Sequence, residues 1–150
     1  MKIGDQLPDL TLSNQDGNTV RLHDFIGKSP LVIYFYPKDE TPGCIREACS
    51  FRDQYEDFVE IGAQVFGVSH DSVSSHKRFA TKYRLNFQLL SDQEKEAEKA
   101  FEVPRRLLGL LPGRVTYIFD KEGRLIHEFN SSWQPTRHIR EALEALKEAS

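Results

Sequence analysis

Long apolar runs are missing from this chain of 150 residues: the two longest, 31–36 and 107–111, fall far short of the roughly 18 residues of a membrane span. No membrane partner is therefore expected. The start, Met1-Lys2-Ile3-Gly4-Asp5, has neither an apolar core nor a small-residue cleavage pattern, so no signal peptide is read and a cytoplasmic location is expected. Cations are not in excess, with 20 Lys and Arg against 23 Asp and Glu and a net charge of −3. That balance speaks against nucleic acid as the main partner, because phosphates need neutralising. Glycine-rich phosphate loops, repeats, low-complexity tracts and long linkers are also lacking, which leaves one domain over 1–150 and no nucleotide cofactor. The five histidines show no metal-ligand spacing with the cysteines, so no metal is expected either. Cysteine itself is scarce. Two residues, Cys44 and Cys49, are too few for a disulfide framework, which raises a catalytic or redox role beside the plain alternative of two small buried hydrophobes.

The segments that are present alternate between two periodicities. Residues 10–12 and 19–22 flank the turn Asn14-Gln15-Asp16-Gly17-Asn18 and predict an N-terminal hairpin. Residues 31–36, Leu-Val-Ile-Tyr-Phe-Tyr, predict a central strand buried on both faces. A helix is expected from Pro42 and Gly43 to about residue 61, with Ala48, Phe51, Tyr55, Phe58 and Val59 on its buried face. Then follow a strand at 64–69, a helix at 72–83 and a short strand around 87–90. Ser91-Asp92-Gln93-Glu94 offers a capping box for a helix through Phe101. Strands at 115–119 and 125–129, joined at Asp120-Lys121-Glu122-Gly123, form a second hairpin, and an amphipathic helix at 136–149 closes the chain. Phe101 and Trp133 are expected in the core. This order implies an α/β fold with a mixed central sheet and flanking helices.

Chemistry concentrates between Pro37 and Cys49, where the buried strand ends and the next helix begins, the end of an open sheet at which sites gather. Cys44 falls in the helix's first turn, where unpaired N–H groups and the positive dipole end favour an anion. The thiolate is the nucleophile, and an ordinary thiol is only about 3% ionised at neutral pH, so placement matters. A turn of proline and glycine with polar neighbours suits a reactive cysteine better than an inert one.

The pattern Pro37-x-x-x-Thr41-x-x-Cys44, extended by Glu47-Ala48-Cys49-x-Phe51-Arg52-Asp53 and by Leu111-Pro112-Gly113-Arg114-Val115-Thr116-Tyr117, resembles the peroxiredoxins of the Q subfamily, also called bacterioferritin comigratory proteins. The similarity runs from about Gly4 to the last helix. It implies a thioredoxin-like fold with an N-terminal β-hairpin extension, a monomer, and a thiol-specific peroxidase acting on hydrogen peroxide and organic hydroperoxides. By the same resemblance Cys44 attacks the peroxide and becomes a sulfenic acid, Cys49 resolves it as an intramolecular disulfide, and thioredoxin or a similar dithiol restores both thiols. Thr41 would accept from the peroxide and donate to the thiolate; Arg114 would favour the thiolate and the leaving oxygen; Pro37 would shield the site; Glu47 would orient Arg114.

Helix geometry adds an expectation. Residues five apart in an ideal helix have Cα atoms roughly 8–9 Å apart, whereas a disulfide tolerates at most about 7 Å. Residues 43–50 must therefore unwind on oxidation, with Gly43 as a pliable start. The stretch 107–111 reads as a core plug in preference to a rim for alkyl peroxides, and His70 as a strand-end residue. Rival readings are a thiol–disulfide oxidoreductase on the same fold, which usually has Cys-x-x-Cys, and a redox sensor that switches without turnover.

Overall fold

The computed structural model describes residues 1–106, 111–131 and 134–149. Its strands are β1 (Thr11–Asn14), β2 (Thr19–Arg21), β3 (Leu31–Phe35), β4 (Gln64–Ser69), β5 (Gln88–Ser91), β6 (Arg105–Arg106), β7 (Leu111–Pro112), β8 (Val115–Phe119) and β9 (Leu125–Asn130). The helices are α1 (Pro42–Asp53), α2 (Tyr55–Ile61), α3 (Val73–Lys82), α4 (Glu96–Ala100) and α5 (Arg137–Ala149), with a 3-10 turn at Leu22–Phe25. Seven strands form one mixed sheet in the order β2-β1-β5-β4-β3-β8-β9, and β6 pairs with β7 as a separate ribbon. This is the expected α/β architecture, with the hairpin β1–β2 added at one edge.

Strand β3 lies at the heart of the sheet, parallel to β4 and antiparallel to β8. Its alternation divides the core. Val32, Tyr34 and Tyr36 meet Ala48 and Phe51 of α1, Phe58 of α2, Phe79 of α3 and Ile139 of α5. Leu31, Ile33 and Phe35 face the other way, with Leu7, Leu22, Phe66, Ala97, Phe101 and Tyr117. Covering both faces explains why the strand reads as an unbroken apolar run.

Two local expectations are corrected. The helix expected to reach residue 61 breaks at Gln54 (φ −106°, ψ 14°), so α1 and α2 are separate. The break re-aims the second segment: Phe58 stays buried, and Val59, assigned to the same face, is 54% exposed. The capping box at 91–94 does not form either. Ser91 belongs to β5, and Asp92 instead accepts the backbone N–H groups of Ala97 and Glu98, both at 2.9 Å. A single carboxylate across two donors replaces the reciprocal pair, and Lys95 takes the left-handed backbone (φ 61°) that starts α4. Phe101 is fully buried as expected; Trp133 and residues 107–110 of the apolar stretch lie outside the described residues. No helix among the described residues is long and apolar enough to cross a membrane.

Candidate active site

Helix α1 begins where the sheet delivers the chain. Thr41 is its N-cap, Pro42 supplies the preset φ of the first turn, and Cys44 follows within that turn. The first turn contains no acidic residue to compete for its N–H groups. Cys44 is 1% exposed and Cys49, on the same helix, is half-buried; both are free thiols.

Arg114 arrives from the start of the antiparallel neighbour, β8. Gly113 is needed just before it, because a β-carbon there would lie 2.5 Å from the Pro104 carbonyl, which accepts the Gly113 N–H at 2.7 Å. Arg114 is 5% exposed, and its guanidinium bridges two side chains of α1. Its Nη2 donates to Cys44 Sγ at 3.3 Å, and its Nη1 donates to Glu47 Oε1. Gly43 makes room for this fork: a β-carbon there would sit 2.9 Å from Arg114 Nη2.

Glu47 is wholly buried, one turn after Cys44. Loss of hydration pushes its carboxyl up to about 8, against the pull of Arg114. Its second oxygen, Oε2, has no hydrogen-bond partner among the described residues and faces His138 Nδ1 at 3.7 Å. His138 is buried too; its Nε2 meets the Ser131 carbonyl at 2.8 Å and its Nδ1 the Thr116 hydroxyl at 2.7 Å. A carbonyl accepts only, so Nε2 carries the hydrogen and Nδ1 takes the Thr116 hydroxyl hydrogen. Burial, and to a lesser degree the nearby Arg114 charge, lower this imidazole to about 4. Tyr34, stacked on Phe51 at 4.5 Å, completes the wall beneath; burial first, then the Glu47 and Cys44 charges, raise its phenol well above the usual range.

The fold thus brings Cys44, Glu47 and Arg114 together. Thr41 lies at the same helix start, but its hydroxyl donates to the Lys38 carbonyl at 2.8 Å and not to the Cys44 sulfur as expected; with its one hydrogen spent there, its oxygen can only accept. Pro37 is half-buried at the end of β3. His70 stands at the strand end as expected and contacts Glu98 at 2.8 Å rather than the thiols. Two groups of residues escaped the sequence reading. His138 shares the apolar stripe of α5 with Ile139, Ala142, Leu143 and Leu146, and a histidine on such a stripe signals a buried polar contact. The other is a buried set around Asp39 and His76, and His76 gives the same signal beside Phe79 and Ala80 on α3. Ligand atoms of Asp39, Asp71 and His76 lie within 4.8 Å of one another, close enough for a metal ion; hydrogen bonds among these groups account for the closeness.

Residues 3–128 match the model of the AhpC/TSA family. "Peroxiredoxin Q, chloroplastic" of Triticum aestivum is 51% identical over 93% of this chain and 64% of its own length. The protein of the same description from Populus jackii is 52% identical over 96% and 67%. The chain thus spans about two thirds of these plant relatives. Among solved structures, Peroxidoxin BcpB of Mycobacterium tuberculosis superposes with a TM-score of 0.92 at 36% identity, covering 100% of this chain and 99% of that one. A bacterioferritin comigratory protein of Xanthomonas campestris, whose structure concerns its alkyl peroxide reduction activity, gives 0.84 at 32% identity over 97% and 99%. Full-length agreement in fold, together with the proline–threonine–cysteine segment and the arginine set against it, leads to one assignment: the chain belongs to the AhpC/TSA family, within the peroxiredoxin Q group.

Proposed function

We propose that this chain is a thiol-specific peroxidase that reduces hydrogen peroxide and organic hydroperoxides through Cys44. The observation that carries the reading is the Arg114 fork on Cys44 and Glu47 at the start of α1. A permanent cation against the sulfur favours the thiolate and the charge that develops on the leaving oxygen. The Cys44 thiolate attacks the terminal oxygen of the peroxide and the O–O bond breaks. The product alkoxide or hydroxide takes a proton and leaves as alcohol or water, and Cys44 holds the sulfenic acid. The Cys49 thiol then displaces that hydroxyl as water, giving the Cys44–Cys49 disulfide. Both cysteines lie within α1, so this step requires residues 43–50 to unwind.

The remaining roles are assigned on chemistry. Thr41 orients the peroxide through its free lone pairs, Pro37 shields the thiol, and Glu47 holds Arg114 in place. The chain contains only these two cysteines, so regeneration needs an external dithiol, thioredoxin or a related protein. The Xanthomonas protein's alkyl peroxide activity supports organic hydroperoxides as substrates here. We assign the chain as one domain, working as a monomer. The compared plant proteins are chloroplastic.

The test is sustained turnover. With thioredoxin, its reductase and NADPH, wild type should consume many equivalents of peroxide, Cys49→Ser should stop after one equivalent, and Cys44→Ser should consume none. One equivalent per molecule in wild type, with any dithiol supplied, would mean a redox sensor or exchange protein instead.

A further inference from the structure

The turn 37–41, which delivers Thr41 and the start of α1, is anchored by buried polar groups that the peroxide chemistry does not use. Asp39 is 5% exposed and His76 fully buried. Asp39 Oδ1 accepts the Tyr36 hydroxyl at 2.6 Å; Oδ2 accepts the Ser75 hydroxyl at 2.9 Å and lies 2.7 Å from His76 Nδ1. The Asp39 N–H donates to Asp71 Oδ2 at 2.8 Å, and the Ser69 hydroxyl donates to the same oxygen at 2.5 Å. Across the imidazole ring, Nε2 lies 3.0 Å from the Leu90 carbonyl.

These partners fix a proton count. The Leu90 carbonyl only accepts, so His76 Nε2 carries a hydrogen. One further proton must lie between Nδ1 and Asp39 Oδ2, since two bare lone pairs would otherwise face each other at 2.7 Å. Each Asp39 oxygen already accepts a hydroxyl hydrogen, and the Tyr36 hydroxyl that also lies 3.4 Å from Nδ1 spends its hydrogen on Oδ1, so the shared proton is assigned to the ring nitrogen as the donor to an accepting carboxylate. The result is a buried ion pair whose titratable neighbours are Tyr36 and Asp71.

We propose that His76 is a positioning residue for the Cys44 site: as an imidazolium it clamps Asp39, and with it the turn that starts α1, in the peroxide-reactive shape. This rests on the peroxidase reading of Cys44. The turn needs such a hold, because Glu40 takes a left-handed backbone at φ 62°, unfavourable for a residue with a β-carbon. Among the described residues the Glu40 side chain itself is held by an exposed contact to Lys82 at 3.1 Å, weak by nature. The clamp lies before Thr41, whereas disulfide formation unwinds residues after it. Losing the clamp therefore penalises attack on peroxide and leaves the resolving step free.

Two measurements on the full reduced chain test this. Nitrogen-15 NMR of wild type at neutral pH should find hydrogens on both ring nitrogens of His76; a bare nitrogen overturns the proposal even if every variant fails to fold. Stopped-flow peroxide mixing then separates Cys44 oxidation from disulfide formation in His76→Gln, Asp39→Asn and the double variant. Oxidation should slow about tenfold or more in each single variant, as expected for a misplaced reacting group, while disulfide formation keeps its rate. The double variant should be less impaired than the two effects combined, because neither charge is left unpaired. Oxidation at the wild-type rate in folded His76→Gln, or equal slowing of both steps, overturns the role. Wild type that ignores peroxide while both His76 N–H groups are present would instead locate the failure in the peroxidase reading, and the positioning role would fall with it.

Discussion

Glu47 and His138 face one another with opposite burdens, and the pair sets a pH dependence on the fold. Burial raises the Glu47 carboxyl from 4.5 to about 8, so the folded protein keeps a proton that the unfolded chain has already released. Its favourable contribution is complete at low pH and drains away as pH rises through about 8. His138 runs the other way. Lowered from 6.5 to about 4, it supports the fold above 6.5 and withdraws that support as pH falls through about 4. From 4.5 to 6.5 the two slopes oppose each other; above 6.5 that of Glu47 stands alone. Wild type should therefore lose stability relative to Glu47→Gln between pH 6.5 and 8, by about 2 kcal/mol at most. Urea unfolding of both reduced proteins at the two pH values reads this directly. A difference between them that stays constant over the interval contradicts the assignment.

Among the helices, α1 carries the site and, in the disulfide step proposed for it, is also the part that gives way. It was legible as a helix because Ala48 and Phe51 recur at helical spacing, and because Pro42 suits a first turn. Its end was not legible: Tyr55 and Phe58 continue the same spacing, and only the packing of α2 shows the chain turning at Gln54. The cap of α4 failed for a similar reason. Ser91 fits a capping box by residue type, but pairing with β4 commits it to the sheet, and Asp92 takes the donors instead. The break at Gln54 sharpens what oxidation should do. Amides at 43–50 should lose hydrogen-exchange protection in the disulfide form, while those of α2 and β3 keep theirs, because the unwinding is bounded by that break. Unchanged protection across 43–50 in the oxidised protein contradicts the required unwinding.

For the molecule as a whole, layers were easier to read than neighbours. The apolar run of β3 announced a strand covered on both faces, and the turn at Asp120–Gly123 announced the hairpin of β8 and β9, since both are local patterns. The sheet order was not local. Nothing in residues 11–14 says that β1 will pair with β5 at Ser91, and the thioredoxin-like arrangement came from resemblance rather than periodicity. The site divides along the same line. Cys44, Thr41 and Glu47 sit in one continuous motif, and the resemblance supplied Arg114, 70 positions away from Cys44. His76 and His138 belong to no motif, and their partners Asp39 and Thr116 are met only through the fold. Every step proposed for this site depends on the Cys44 sulfur as the atom that meets peroxide. Stopped-flow mixing of the reduced protein with hydrogen peroxide, followed by intact mass, tests that most directly. Wild type should oxidise fast with loss of two hydrogens, Cys49→Ser should gain one oxygen, and Cys44→Ser should not change. Slow oxidation that proceeds equally in Cys44→Ser would contradict that dependence on Cys44.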